Sequence, residues 1–113
     1  MTEQAYLHAV RSLYLQLPNT SRRFSRSDRR VASSLYQRGF SLELVCSALL
    51  LATARRLARN PAQPPLPPVR SLSYFLPALE EIRLQPLPPG YLQYLESKVR
   101  SASCSAHSAQ TGV

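Results

Sequence analysis

The chain has 113 residues, with 14 Lys and Arg against 6 Asp and Glu for a formal charge of +8, and it holds 10 Pro but only 3 Gly and no Trp. That length supports one hydrophobic core rather than two, and the longest strongly apolar stretch, residues 44–54, is about half of a membrane span. Cys46 falls in an apolar segment, Cys104 in a polar tail, and His8 and His107 are the only imidazoles, so neither a structural disulfide nor a metal or other cofactor site is expected.

The composition, rich in Leu and Ala and poor in Gly, favours helices. Residues 2–17 read as the first, with Tyr6, Val10, Leu13 and Leu17 recurring at intervals of three and four until Pro18-Asn19 stops them. A second helix is expected from Ser27 as N-cap, with Asp28 at the positive end of the dipole and a buried stripe of Val31, Ala32, Leu35 and Tyr36. Gly39 supplies the left-handed residue that ends it. Ser41 caps the third helix, LELVCSALLLATARRLA, which is apolar on several sides to about Ala58 and so belongs at the centre, with Leu44, Val45, Leu49 and Ala52 as its buried members.

Residues 60–70, NPAQPPLPPVR, cannot be helical and read as an extended connector. Ser73 is the expected cap of a fourth helix with Pro77 in its first turn; Tyr74, Leu76, Leu79 and Ile82 point to the core, and Glu80 and Glu81 to water. QPLPPG is the next break, and residues 91 to about 100 form a fifth helix through Leu92, Leu95 and Val99. Residues 101–113, SASCSAHSAQTGV, lack periodicity and read as a disordered tail. The expectation is therefore all-α: a single small five-helix bundle over residues 1–100, with a proline-rich connection between helices three and four.

The charge is unevenly placed. Residues 22–59 hold nine arginines (Arg22, Arg23, Arg26, Arg29, Arg30, Arg38, Arg55, Arg56 and Arg59) against Asp28 and Glu43. Such a concentration points to a surface built to meet an anion. Thirteen of the fourteen bases are Arg, whose planar fork matches phosphate geometry. Around the second helix's start the arginines alternate with Thr20, Ser21, Ser25 and Ser27, small donors for phosphate oxygens, and Phe24 offers a ring that can stack on an unpaired base or act as a local hydrophobic staple. The expected function is nucleic-acid binding through the phosphate backbone, with Arg22, Arg23, Arg26, Arg29 and Arg30 as a first row, Arg38 on the same helix, and Arg55, Arg56 and Arg59 as a second row. The second and third helices have helix-turn-helix spacing about Gly39, but Leu42, Leu44 and Val45 cannot read base edges, which assigns the third helix to the core.

GFSLELVCSALLLA (residues 39–52) and SLSYFLPALEEI (residues 71–82) resemble the DnaD-like helical domain of bacterial primosome and phage or plasmid replication proteins. Gly39, Ser41, Glu43, Val45, Ala48 and Tyr74 carry the likeness, which spans about 40 residues; the proline insert and the missing tryptophan depart from the pattern. The resemblance implies a non-enzymatic DNA-binding or loading accessory in replication or a mobile element, with DNA ahead of RNA and a protein partner within a nucleoprotein complex. No DNA-contacting residue of that family maps onto a matching position.

Two other functional classes bear on the sequence. PLPPVR, residues 65–70, has the PxxPx(R/K) spacing of a docking segment, so an interaction adaptor using it or the basic surface is the alternative function. Catalysis is not expected: His8 lacks an Asp or Cys companion, Glu80 and Glu81 are adjacent and diverge on a helix, and there is no phosphate loop or nucleophile elbow. MTEQAYLHAV lacks the basic and apolar regions of a secretion signal, so a cytoplasmic location is expected.

Overall fold

A computed structural model describes residues 1–18, 20, 21, 23–58, 62, 64 and 66–100. Within them lie α1 (Glu3–Gln16), α2 (Arg26–Gln37), α3 (Leu42–Leu57), a 3-10 turn (Leu72–Phe75) that runs directly into α4 (Leu76–Leu84), and α5 (residues 91–100). The fold is the all-α, five-helix bundle that the periodicity called for. The described residues contain no strand, only an isolated parallel bridge between Thr20 and Val69.

The starts of α1, α2 and α3 are each explained by a local bond. Thr2 accepts from the Ala5 amide at 3.1 Å and Ser41 from the Leu44 amide at 3.1 Å, satisfying donors that the first turn leaves open. Helix α2 begins with a full capping box, and its N-cap is Ser25 rather than the expected Ser27: Ser25 Oγ accepts from the Asp28 amide while Asp28 Oδ2 accepts from the Ser25 amide at 2.8 Å. The S-x-x-D spacing selects Ser25, because only from there does the carboxylate reach back to the N-cap amide. At the other end Gly39, with φ of 85°, lets the Phe40 amide donate to the Leu35 carbonyl and its own amide to Tyr36, closing a Schellman motif over buried Phe40.

Helix α3 packs on α1, the 3-10 turn and, most extensively, α4, which accounts for its apolar character all round. Its two buried hydroxyls return to their own helix, Ser47 to the Glu43 carbonyl at 3.0 Å and Thr53 to Leu49 at 2.7 Å, so the core holds no orphan there. Val45, Leu49 and Ala52 are buried as expected, whereas Leu44 is half-buried. On α2, Ala32 and Leu35 are the buried pair, flanked by half-buried Val31 and Tyr36.

The expected start of the fourth helix is corrected. Ser71, not Ser73, provides the cap, accepting from the Ser73 amide at 3.1 Å, and the turn it opens is 3-10, with Pro77 following at the head of α4. The shift rotates the segment: Phe75 enters the core, while Tyr74, expected there, is 45% exposed. Leu79 and Ile82 are buried, Leu76 is half-buried, and on α5 Leu95 and Val99 are buried beside half-buried Leu92. The connector ends in an anchor, since the Val69 carbonyl accepts from the Ser21 amide at 2.8 Å and from the Tyr14 hydroxyl at 3.4 Å, with the Val69 side chain buried. Residues 101–113 lie outside the described residues.

Candidate nucleic-acid interface

The loop before α2 and its first two turns carry Arg23, Arg26, Arg29 and Arg30, all exposed. Positions 26, 29 and 30 share one helix face at i, i+3 and i+4, and Arg23 precedes the cap. None of the four makes an ion pair or side-chain hydrogen bond within the described residues. Arg22 and Arg59, predicted for the same role, lie outside the described residues.

Behind this edge sits a buried carboxylate. Asp28 is 1% exposed, and besides the capping box its Oδ2 accepts from Ser25 Oγ at 3.0 Å while Oδ1 accepts from the Leu72 amide at 2.9 Å and Ser71 Oγ at 3.4 Å. One side chain thus ties the start of α2 to the 3-10 turn 44 residues later. It also fixes the neighbourhood of Arg70, an exposed cation between Val69 and Ser71, both of which are bonded to the α2 side of the molecule. Arg70 is the site member that sequence reasoning missed: it was read as the arginine of a docking motif, and only the fold sets its segment against the arginine loop.

The remaining predicted cations are differently occupied. Arg55 grips Glu81 through a two-pronged pair, Nη1 to Oε2 at 2.8 Å and Nη2 to Oε1 at 2.6 Å, and Arg38 meets Glu80 at 3.1 Å. Arg56 donates to the Pro67 carbonyl at 2.6 Å and to the Tyr74 hydroxyl at 3.3 Å, with its guanidinium over the Tyr74 ring. Arg55 and Arg56 of the second row are therefore engaged within the fold, and Arg38, also stacked on Phe40 at 4.8 Å, belongs with them. The hydrogen bond from Arg55 holds the Glu81 carboxyl below the usual range and Arg55 itself above its usual value; Glu80 is likewise lowered, first by Arg83. Phe24 is half-buried, 5.8 Å from the Tyr14 ring. It packs the loop down on α1 and does not stand out as a stacking platform.

Two opposing electrostatic placements separate these groups. Arg55 and Arg56 lie in the last turn of α3, where the dipole favours cations. Arg26, Arg29 and Arg30 lie in the first two turns of α2, where the dipole opposes Arg26 by about 0.3–1 kcal/mol and like charges at helical spacing add about 0.2–0.5 kcal/mol per pair. The fold gains nothing from the second arrangement. Among the described residues no helix is long and apolar enough to cross a membrane, and no group of three His, Cys, Asp or Glu could hold a metal ion. Comparison with protein-family models, curated proteins and solved structures returned no match.

Proposed function

We propose that the chain is a non-enzymatic nucleic-acid-binding protein that contacts the phosphate backbone through Arg23, Arg26, Arg29 and Arg30, with Arg70 alongside. The observation that carries this reading is the unneutralised arginine edge, set around the start of α2, where like charges at helical spacing and the dipole at Arg26 oppose folding. A charge kept only for solubility has no reason to collect there. Arg26 to Arg30 spans about 6 Å along the helix, close to the step between neighbouring phosphates on one strand, so the edge fits two or three of them. With Phe24 packed inward the edge lacks a base-stacking ring, which favours a duplex backbone over single-strand capture by stacking. The likeness to DnaD-like domains adds a role as a cytoplasmic replication or mobile-element accessory, with DNA as the polyanion.

The test is fluorescence polarisation with duplex and single-stranded DNA and RNA of mixed sequence at several salt concentrations. Binding should weaken log-linearly with salt, by about 0.9 in slope for each phosphate neutralised on duplex. Replacing Arg23, Arg26, Arg29 and Arg30 by Ala should flatten that slope and weaken binding to every sequence alike. Equal affinity of parent and variant across the titration would remove the proposal.

A further inference from the structure

We infer that the cleft between α3 and α5 is a docking groove for an acidic amphipathic helix of a partner protein. The cleft encloses a hollow of about 440 Å³. Its two walls carry the same pattern: Leu51, Ala54, Arg55 and Ala58 from α3, and Tyr91, Tyr94, Leu95 and Lys98 from α5, each an i, i+3, i+4, i+7 stripe. Two helices that present matched stripes over seven residues make a trough about 10 Å long. A third helix using the same spacing fills such a trough, as in other helix-in-groove complexes.

The surface around it is unusually apolar for a chain of this charge. Of the six large hydrophobic side chains exposed among the described residues, Leu57 and Tyr94 line this hollow and Leu66 and Tyr74 line a second, of about 400 Å³, that shares Arg55 with the first. Exposed apolar side chains gathered in one place mark an interaction surface, whereas scattered ones do not. Tyr and Arg are also among the residues that anchor interface hot spots.

Charge selects the partner. Among the described residues no carboxylate lines either hollow, while Arg55 and Lys98 line the first and Arg55 and Arg56 the second. Arg55 is satisfied by Glu81, but Lys98, over the Tyr94 ring at 5.5 Å, has no carboxylate partner within the described residues. An occupant with acids flanking its apolar stripe meets Lys98 at the α5 wall, and a basic one is repelled. The chain's own residues 101–113 cannot be that occupant, since beyond alanine and cysteine their only apolar residue is Val113.

The groove is tested with the full chain and a synthetic helix of about 16 residues that repeats Leu at i, i+3, i+4 and i+7 with Glu at its flanks, against a twin with Lys for Glu. The Glu peptide should bind saturably, and its twin about tenfold more weakly or not at all. Leu57→Glu and Lys98→Glu, both at exposed positions, should each weaken the Glu peptide by about tenfold with thermal unfolding unchanged. The arginine-edge alanine variant should bind the peptide as the parent does, which separates this groove from the phosphate site. The inference is overturned if the two peptides bind equally, if loss follows the arginine edge instead of Leu57 and Lys98, or if the chain sediments as a dimer that Leu57→Glu dissociates.

Discussion

Asp28 lies in the densest run of arginines in the chain, and its environment decides what it does there. A carboxylate with four donors and 1% exposure is stabilised as a hydrogen-bonded centre, and removing it leaves the buried Leu72 amide without an acceptor and the Ser25 amide without its cap. Asp28→Ala should lower unfolding free energy by about 2–3 kcal/mol, for a buried amide left unsatisfied and a lost capping partner, and Ser71→Ala, which forfeits one long bond and a turn cap, by about 1 kcal/mol. Urea denaturation measures both; equal effects would contradict the central place given to Asp28. Cys46 offers a second residue-level check. Burial, then Glu96 and Glu43, push its thiol above the usual value, so less thiolate exists in the folded chain at a given pH. Alkylation near about pH 8 should be several-fold slower at Cys46 in the native protein than in urea, read by mass spectrometry on the Cys46 peptide. The sequence alone shows Asp28 as a first-turn acid, because its second set of partners arrives from a turn 44 residues away that no local spacing foretells.

At the scale of the element, α2 is a helix whose two ends obey the rules of helix termination and whose charges defy them. Replacing Arg26 by Glu puts an acid where the dipole favours it and relieves like-charge repulsion, so it should raise stability by about 0.5–1 kcal/mol while weakening DNA binding more than alanine does. A variant that lost stability would mean the edge is held by contacts of its own. Gly39→Ala should cost about 1–2 kcal/mol, because φ of 85° lies where a Cβ meets the following carbonyl; circular dichroism during thermal unfolding would register it. Such ends were legible: Ser41, Gly39 and the stop after Ala58 follow from cap and turn chemistry. The start of α2 was legible in principle too, since Ser25-Arg26-Ser27-Asp28 carries the capping-box spacing. What could not be read was the partition of the arginines. Arg55 and Glu81 are 26 residues apart, and Arg38 and Glu80 are 42 apart; only packing α4 against α3 makes them pairs. A phase error of one or two residues at Ser71 likewise exchanged Tyr74 for Phe75 in the core.

For the whole molecule, these pairings make α4 the place where the two charge populations meet. Its acids Glu80 and Glu81 reach back to Arg38 beside the C-terminus of α2 and to Arg55 on α3, and Arg83 joins Glu80 at 2.8 Å. All three pairs are exposed, so each adds little alone, yet together they neutralise the basic surface on this side while leaving the α2 edge bare. Both carboxyls sit below their ordinary range when folded, Glu81 through its bond to Arg55 and Glu80 through its bond to Arg83. A group lowered on folding stabilises the native state above its unfolded value and loses that contribution as pH falls through the folded one. Acid therefore removes the ties and raises the positive charge of the chain in the same step. Melting temperatures followed from about pH 7 to about pH 3 should fall more steeply for the parent than for a Glu80→Gln/Glu81→Gln variant, and the two curves should converge at the acid end. Parallel curves over the whole range would show that the pairs contribute nothing in solution, and that burial of α4's apolar face on α3 alone holds it in place.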